Sequence, residues 1–231
     1  MSSSPVTHLS ALQLADSAFP SGRYTLSHGL EPLVQSGAVP ATIPALQQLL
    51  VDCLRLSAGP VDGTAVACAH SSYELAVAVD RRLTAVKLTT EARNGSIRTG
   101  KALLDTARTF VDDPELDAYA ALVRDGATAG HHAVVLGLLS ASIGLTAQEA
   151  VAGELYAFAA NFTSAAVRLG LADHQVAQRI LHGSRTALAE VADQATQEAG
   201  RRGVSSVAGY TPALDLMSMR HEVAEVRLFA N

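Results

Sequence analysis

The sequence has no tryptophan, its aromatic residues amount to only 4%, and it contains two cysteines in 231 residues. Cys53 and Cys68 each fall inside an apolar helical pattern. Two such positions make neither a disulfide framework nor a metal knuckle. We interpret both as small buried residues in a reducing compartment, which excludes a disulfide-stapled scaffold.

The sequence also has little positive charge. Its 17 Lys and Arg residues stand against 22 Asp and Glu residues, which gives a net charge of −5 and no run of like charges. Proteins that bind nucleic acids carry a basic patch, so we expect no nucleic-acid partner.

Long hydrophobic runs are missing as well. The start, Met1–Pro5, has neither a basic nor an apolar region of a secretion signal. The segment Gly126–Gln148 carries no formal charge, but its strongly apolar part is only Ala133–Leu145. A membrane-spanning helix needs about 20 apolar residues, so we interpret this segment as a buried core helix. We expect a cytoplasmic protein that does not enter a membrane.

Helical spacing of apolar residues occurs along most of the chain, and strand-like alternation is almost absent. The pattern predicts an all-α, single-domain multi-helix bundle over residues 1–200. It has an N-terminal helix–loop–helix corner. Residues 201–231 are expected to form a flexible segment, centred on Gln197–Tyr210, and a C-terminal docking tail. The predicted helices are Ile43–Leu56, Asp62–Lys87, Leu103–Val111, Val151–Leu169 and Val176–Val191. Gly59-Pro60 is expected to stop the first of these helices, Asp112-Asp113-Pro114 to stop the third and Gly170 to stop the fourth.

One motif imitates a phosphate-binding loop. Gly95–Ala102 matches G-x-x-x-x-G-K-[ST] except at Ala102, which has no hydroxyl group to hold Mg²⁺. The preceding residues are polar, whereas such a loop follows a buried strand. We therefore interpret the segment as a polar helix start; a nucleotide hydrolase using Gly95–Lys101 is the alternative.

The histidines do not form a metal-ligand pattern. His131 and His132 are adjacent and on a helix would point about 100° apart, so they cannot easily share an ion. His28 and Glu31 could meet, but two ligands seldom make a dedicated site. We expect no resident metal and no catalytic residue, although a weak or transient metal contact at His28 is not excluded. A rival interpretation places His28, Glu31 and His131 in one pocket of a helical small-molecule or metal-binding protein.

Two segments are better suited to contact than to catalysis. Pro20-Ser21-Gly22 breaks a short helix, and glycine recurs in the following turn. The last fifteen residues include large apolar side chains among charged ones, whereas frayed termini are usually polar. This tail could dock on its own bundle or on a partner, with Arg227 and Phe229 as anchors.

At these segments the sequence resembles the urease accessory protein F family. The resemblance covers nearly the whole chain, and the order and spacing of the motifs are specific. Arg23, however, stands where the family usually has a small residue, and Asp173-His174 replaces a commoner Gly-Gln. The matching segments are Leu12–Leu14, Pro20–Gly22, Ser27–Glu31, Thr99-Gly100, Leu103-Leu104, His131–Gly144, Ser164–Leu169, Gln178–Leu181, Arg220–Glu222 and Arg227–Phe229.

The resemblance implies a usually dimeric adaptor that is not an enzyme and holds no stable cofactor. Such an adaptor binds accessory protein D (called H in some systems) and recruits the GTPase accessory protein G. The complex delivers nickel to apo-urease. The residues implied to contact protein D are Arg220, His221, Glu222, Arg227, Leu228 and Phe229. Those implied to lie near the dimer or GTPase surface are Pro20, Ser21, Gly22, Tyr24, Ser27, His28, Gly29 and Glu31.

Overall fold

The computed structural model describes residues 4–16, 18–23, 29–37 and 42–221, and these residues form helices and no strand. The predicted all-α fold is confirmed. The helices are α1 (Pro5–Ala15), α2 (Leu30–Gln35), α3 (Ile43–Cys53), a π-helix (Leu54–Gly63), α4 (Thr64–Ser71), α5 (Tyr73–Val86), α6 (Thr90–Ala107), α7 (Pro114–Arg124), α8 (His132–Ser142), α9 (Ala147–Arg168), α10 (His174–Gly183), α11 (Arg185–Arg202), a 3₁₀ turn (Gly203–Ser206) and α12 (Pro212–His221).

Most helices begin after a residue that is a typical helix cap. A short polar side chain precedes the first turn and accepts a hydrogen bond from a backbone N–H inside that turn, which would otherwise lack a partner. At α9 the arrangement is reciprocal, because the Glu149 side chain also accepts from the backbone N–H of Thr146. The capping side chains are Ser4, Thr42, Ser72, Thr89, Asp113, Thr146 and Asp173.

The core is centred on α8, which packs against α4, α5, α6, α7 and α9. Every residue from His132 to Ser140 is buried. A helix that is apolar on all sides belongs in the centre of a bundle. Gly137 lets α4 approach, since a Cβ atom there would lie 2.6 Å from the Val66 carbonyl oxygen. The prediction of a buried core helix between Gly126 and Gln148 is confirmed, and no described helix is long and apolar enough to cross a membrane.

The prediction that Gly59-Pro60 stops a helix is wrong. The chain continues through both residues as a π-helix and then as α4. Pro60 has no N–H to donate within the helix, and the segment Ala208–Tyr210 bonds to this turn, with Tyr210 N donating to the Leu56 carbonyl at 3.0 Å. A Cβ atom on Gly59 would lie 2.2 Å from Val191 Cγ1. The glycine therefore allows close contact with α11 and does not end the helix.

Two further boundaries differ from the predictions. Ser72, in extended conformation, divides the expected helix from Asp62 to Lys87 into α4 and α5. Ser184 divides the expected helix from Val176 to Val191 into α10 and α11, and its buried hydroxyl group donates to the Ile180 carbonyl. Both serines lie inside apolar patterns, so periodicity alone does not reveal the breaks.

The segment Gln197–Tyr210, expected to be flexible, has regular structure as far as Ser206. Helix α11 continues to Arg202, and the 3₁₀ turn follows it. Val207 is fully buried, and its carbonyl accepts from Arg82 Nε at 3.0 Å. The expected boundary at residue 200 thus falls inside a helix, because the chain after it is held by core contacts that local composition does not show.

Candidate functional site

The N-terminal corner is the first of the two predicted contact regions. After α1, the Asp16 carboxylate accepts from Ala18 N, and the chain bends through Pro20 and Ser21. Gly22 has φ +73°, a left-handed conformation that favours glycine. Pro20 and Gly22 are exposed, whereas Ser21 is buried. Tyr24, Ser27 and His28 lie outside the described residues.

The second half of the corner, from Gly29 onward, packs against the bundle. Gly29, at φ +83°, precedes α2, and α2 packs against α9 and α12. Glu31 is only 1% exposed. The family resemblance implies that Glu31 lies near a dimer or GTPase surface. In this chain its side chain is covered, because α2 turns that face inward.

The corner ends in a buried charged cluster, defined here as Arg23, His132 and Glu154. The Arg23 guanidinium donates to both carboxylate oxygens of Glu154, with Nη1–Oε2 at 2.5 Å and Nη2–Oε1 at 2.9 Å. Nη1 also lies 2.9 Å from His132 Nε2. The side chains of Arg23, His132 and Glu154 are 13%, 9% and 6% exposed. A two-point guanidinium–carboxylate pair fixes orientation as well as distance.

His132 is the neutral member of this cluster. Burial lowers the pKa of His132 well below its usual value, and the neighbouring Arg23 cation lowers it further. Nε2 of the neutral ring can therefore accept a hydrogen bond from Arg23. The cluster contains one cation and one anion, so its charges balance.

His131 points elsewhere, as its adjacency to His132 predicted. Its ring is fully buried, with Nε2 3.0 Å from Thr84 Oγ1 and Nδ1 3.0 Å from Ser96 Oγ. Burial, the largest cause, lowers its pKa to about 4 although the Asp80 anion raises it. Both ring nitrogens therefore have hydrogen-bond partners inside the protein.

Sequence reasoning missed Asp80, the fully buried carboxylate beneath this histidine pair. Its oxygens accept from the hydroxyl groups of Tyr119 and Thr128 and from the backbone N–H groups of residues 129–131. Burial raises the pKa of Asp80, but these hydrogen bonds outweigh it and the pKa falls below its usual range. One signal was available, since Asp80 lies on the apolar face of α5 with Ala76, Val79 and Leu83.

Two cavities adjoin the charged cluster. One, of about 330 Å³, lies between α1 and α9 and is lined in part by Pro20, Ser21 and Gly22. The other, of about 190 Å³, is lined by residues of α6, α9 and α12. Arg23 and His132 line both cavities. Neither Glu31 nor His131 lines either of these two cavities, and His28, the third residue of the rival interpretation, lies outside the described residues.

The segment resembling a phosphate loop is helix interior. Gly95–Ala102 lies within α6, which begins at Thr90, and is therefore not a helix start as expected. A Cβ atom on Gly100 would lie 2.1 Å from the Gly130 carbonyl oxygen. The glycine allows α6 to pack on the turn before α8. A nucleotide-binding loop is excluded here, because its backbone N–H groups are used inside the helix.

Both cysteines lie in the core, as the sequence predicted. Cys53 and Cys68 are free and buried, and burial raises the pKa of their thiols to about 12 and about 11. In the described part of the chain, no three His, Cys, Asp or Glu side chains are arranged to hold a metal ion.

The second predicted contact region, the tail, begins at the end of the described chain. Arg220 and His221 are the last residues of α12. Glu222, Arg227, Leu228 and Phe229 lie outside the described residues. On α12, Leu216 is 60% exposed and Met219 is 41% exposed, so apolar side chains lead toward the tail along the surface.

Comparison with known proteins shows one family. The UreF family model matches residues 42–185. Urease accessory protein UreF of Trichodesmium erythraeum is 30% identical over 228 residues, covering 96% of this chain and 96% of the relative. The namesake from Paenarthrobacter aurescens is 30% identical over 223 residues, with 96% of each covered. That of Yersinia enterocolitica is 29% identical over 225 residues, with 95% and 96% covered. The chain belongs to the UreF family of urease accessory proteins.

Proposed function

We propose that this chain is an adaptor in urease maturation. It binds accessory protein D (H), recruits the GTPase accessory protein G and serves nickel insertion into apo-urease, with nickel as cargo of the complex. The observation that carries the proposal is the match of nearly the whole chain to proteins named urease accessory protein UreF. An adaptor needs contact surfaces and no reacting groups, and a maturation factor for a cytoplasmic enzyme works in the cytoplasm.

The first contact surface is the N-terminal region, which would serve the dimer or the GTPase. Helix α1 has no buried residue, and Val6, Leu9 and Leu12 are 73%, 64% and 55% exposed. Its remaining apolar side chains face the bundle, so the helix is apolar on both sides. Helices of this kind are usually covered. Contact with a second copy or with the GTPase would remove this apolar surface from water, at about 25 cal/mol per Å².

The second contact surface is the C-terminal tail, which would bind protein D. Helix α12 carries exposed Leu216 and Met219 and leads directly into residues 222–231. Those residues include Arg227, Leu228 and Phe229. Aromatic and arginine side chains are common anchors of protein interfaces, because they bury a large area with few rotatable bonds.

The experiment is co-expression with accessory proteins D and G, followed by size-exclusion chromatography. Full-length chain is expected to co-elute with both partners. A chain that ends at His221 keeps α12 and is expected to lose protein D. Phe110→Ser changes an aromatic side chain that is 45% exposed, in the turn between α6 and α7, and serves as the control. This variant is expected to form the complex.

Two results would contradict the proposal. Full-length chain that elutes alone at every concentration would remove the adaptor role. Loss of the complex in both Phe110→Ser and the shortened chain would show that the assay reports general damage and not the tail. Leu9→Glu extends the test to the first surface, since it is expected to weaken dimerisation or recruitment of protein G while protein D stays bound.

A further inference from the structure

The N-terminal segment, residues 4–23, is attached to the bundle through one buried charged group in addition to a few apolar contacts. Helix α1 has no buried residue, and a cavity of about 330 Å³ separates part of it from α9. Leu14 and Phe19 are only partly buried against the core. The hydrogen bonds described for residues 4–21 join neighbours within that same segment. Arg23, at its end, reaches into the bundle.

The partners of Arg23 are held independently of the N-terminal segment. Glu154 lies in α9, whose first turn is fixed by the Thr146–Glu149 capping box. His132 begins α8 directly after the turn that the Asp80 carboxylate holds through three backbone N–H groups. Because both partners belong to rigid core helices, they form a preorganised receptor for one guanidinium group.

The local backbone aims Arg23 at this receptor. Gly22 adopts a left-handed conformation, φ +73°, immediately before Arg23. Residues with a Cβ atom rarely adopt this conformation. The turn at Gly22 places the exposed Pro20 and Gly22 on one side and the mostly buried guanidinium on the other.

We propose that Arg23 and Glu154 form a latch that holds residues 18–23 in the conformation required for partner contact. This inference rests on the proposed adaptor function, in which the corner carries a dimer or GTPase surface. Arg23 and Glu154 are positioning residues, since they act through the exposed residues around them. With the latch closed, Pro20 and Gly22 are presented at a fixed place on the surface. With it open, the segment loses this buried ion pair and keeps the contacts of Leu14, Phe19 and Ser21.

A buried ion pair responds in a recognisable way to removal of one partner. The remaining charge loses its counter-charge in a site that excludes water, so the chain rearranges to bring that charge to solvent. For Glu154→Gln the charge that must move is on Arg23, and the movable part is the N-terminal segment. The effect is therefore expected to be local.

The test is hydrogen exchange of the full chain, read by mass spectrometry, in wild type, Arg23→Met, Glu154→Gln and Arg23→Lys. Amides of residues 5–22 are expected to exchange at least tenfold faster in Arg23→Met and Glu154→Gln, with α11 unchanged. Arg23→Lys keeps the charge but not the two-point geometry, and is expected to restore part of the protection. Lys87→Met is the matched control. It breaks another mostly buried ion pair, with Asp62 at 2.8 Å, whose two residues line the second cavity together with Arg23 but leave the Arg23–Glu154 contact in place.

The second measurement is complex formation by the same variants with proteins D and G. Arg23→Met and Glu154→Gln are expected to lose dimerisation or recruitment of protein G at least tenfold, and Lys87→Met to retain it. Unchanged exchange in residues 5–22, or equal acceleration in Lys87→Met, would overturn the latch. Faster exchange with unchanged complex formation would overturn its role in partner contact. Failure of wild type to bind would remove the proposed function alone, because the exchange data test the latch without partners.

Discussion

The buried Asp80 carboxylate gives the sharpest stability prediction. We expect Asp80→Asn to destabilise the fold although the side chain keeps its size. The carboxylate accepts from two donors at Oδ1 and from three at Oδ2. An amide group has one oxygen, so in either orientation its NH₂ faces donors. The Thr128 and Tyr119 hydroxyl groups can rotate to accept, but one backbone N–H loses its partner: that of Ala129 if the NH₂ replaces Oδ2, or that of His131 if it replaces Oδ1.

The size of this effect follows from the unpaired groups. A buried donor without a partner costs about 1–3 kcal/mol, and the displaced NH₂ adds a second misfit. We expect a loss of about 3 kcal/mol, which for a chain of this size lowers Tm by about 6–12 °C. Thermal unfolding followed by circular dichroism measures this. The control is Asp125→Asn, a side chain that is 64% exposed and is expected to change stability by less than about 0.5 kcal/mol.

The pH dependence of the same variant has a defined sign. The pKa of Asp80 is lowered in the folded chain, so its stabilising contribution is present above the unfolded pKa of about 4. It is lost as the pH falls through the folded value. The difference in Tm between wild type and Asp80→Asn should therefore narrow on acidification below about pH 4. A difference that is below about 2 °C at pH 7 would refute the reasoning, since it is under half of the smallest shift expected here.

Three further predictions concern packing, capping and the thiols. Gly59→Ala is expected to lower stability by about 1–3 kcal/mol, because its Cβ atom would lie 2.2 Å from Val191 Cγ1; a higher Tm would show that helix propensity wins over the clash. Thr146→Ala removes the cap of α9 and should cost about 1 kcal/mol in a urea titration, whereas Thr146→Ser should be close to wild type. Cys53 and Cys68 should not react with a disulfide reagent at pH 8, because burial raises the pKa of their thiols to about 12 and about 11; both should react in denaturant, and rapid labelling of folded protein would contradict their burial.

The helices that depend on local chemistry were predictable. For α9, the polar cap at Thr146, the apolar spacing from Val151 to Leu169 and the glycine at position 170 all point to the same element. The central position of α8 follows from its apolar residues alone. In each case the decisive groups lie within a turn or two of one another, so no distant contact is needed to infer them.

The π-helix and the serine breaks were not predictable in the same way. Gly59 and Pro60 are helix-ending residues by local rules. They stay in a helix because α11 packs on the glycine and the backbone N–H of Tyr210 bonds the Leu56 carbonyl. Tyr210 is far from Leu56 along the chain. Local propensity therefore predicts a helix end at two residues that tertiary contacts keep inside a helix.

Composition, spacing and the order of motifs are enough to infer the fold class, the buried thiols, the caps of most helices and the family. Which polar groups meet depends instead on how the helices pack. Arg23 and Glu154 are 131 positions apart, and Asp80 is 48 to 51 positions from the turn that it holds. Charge and hydrogen bonding join residues by distance in space, and that distance exists only once the helices have packed.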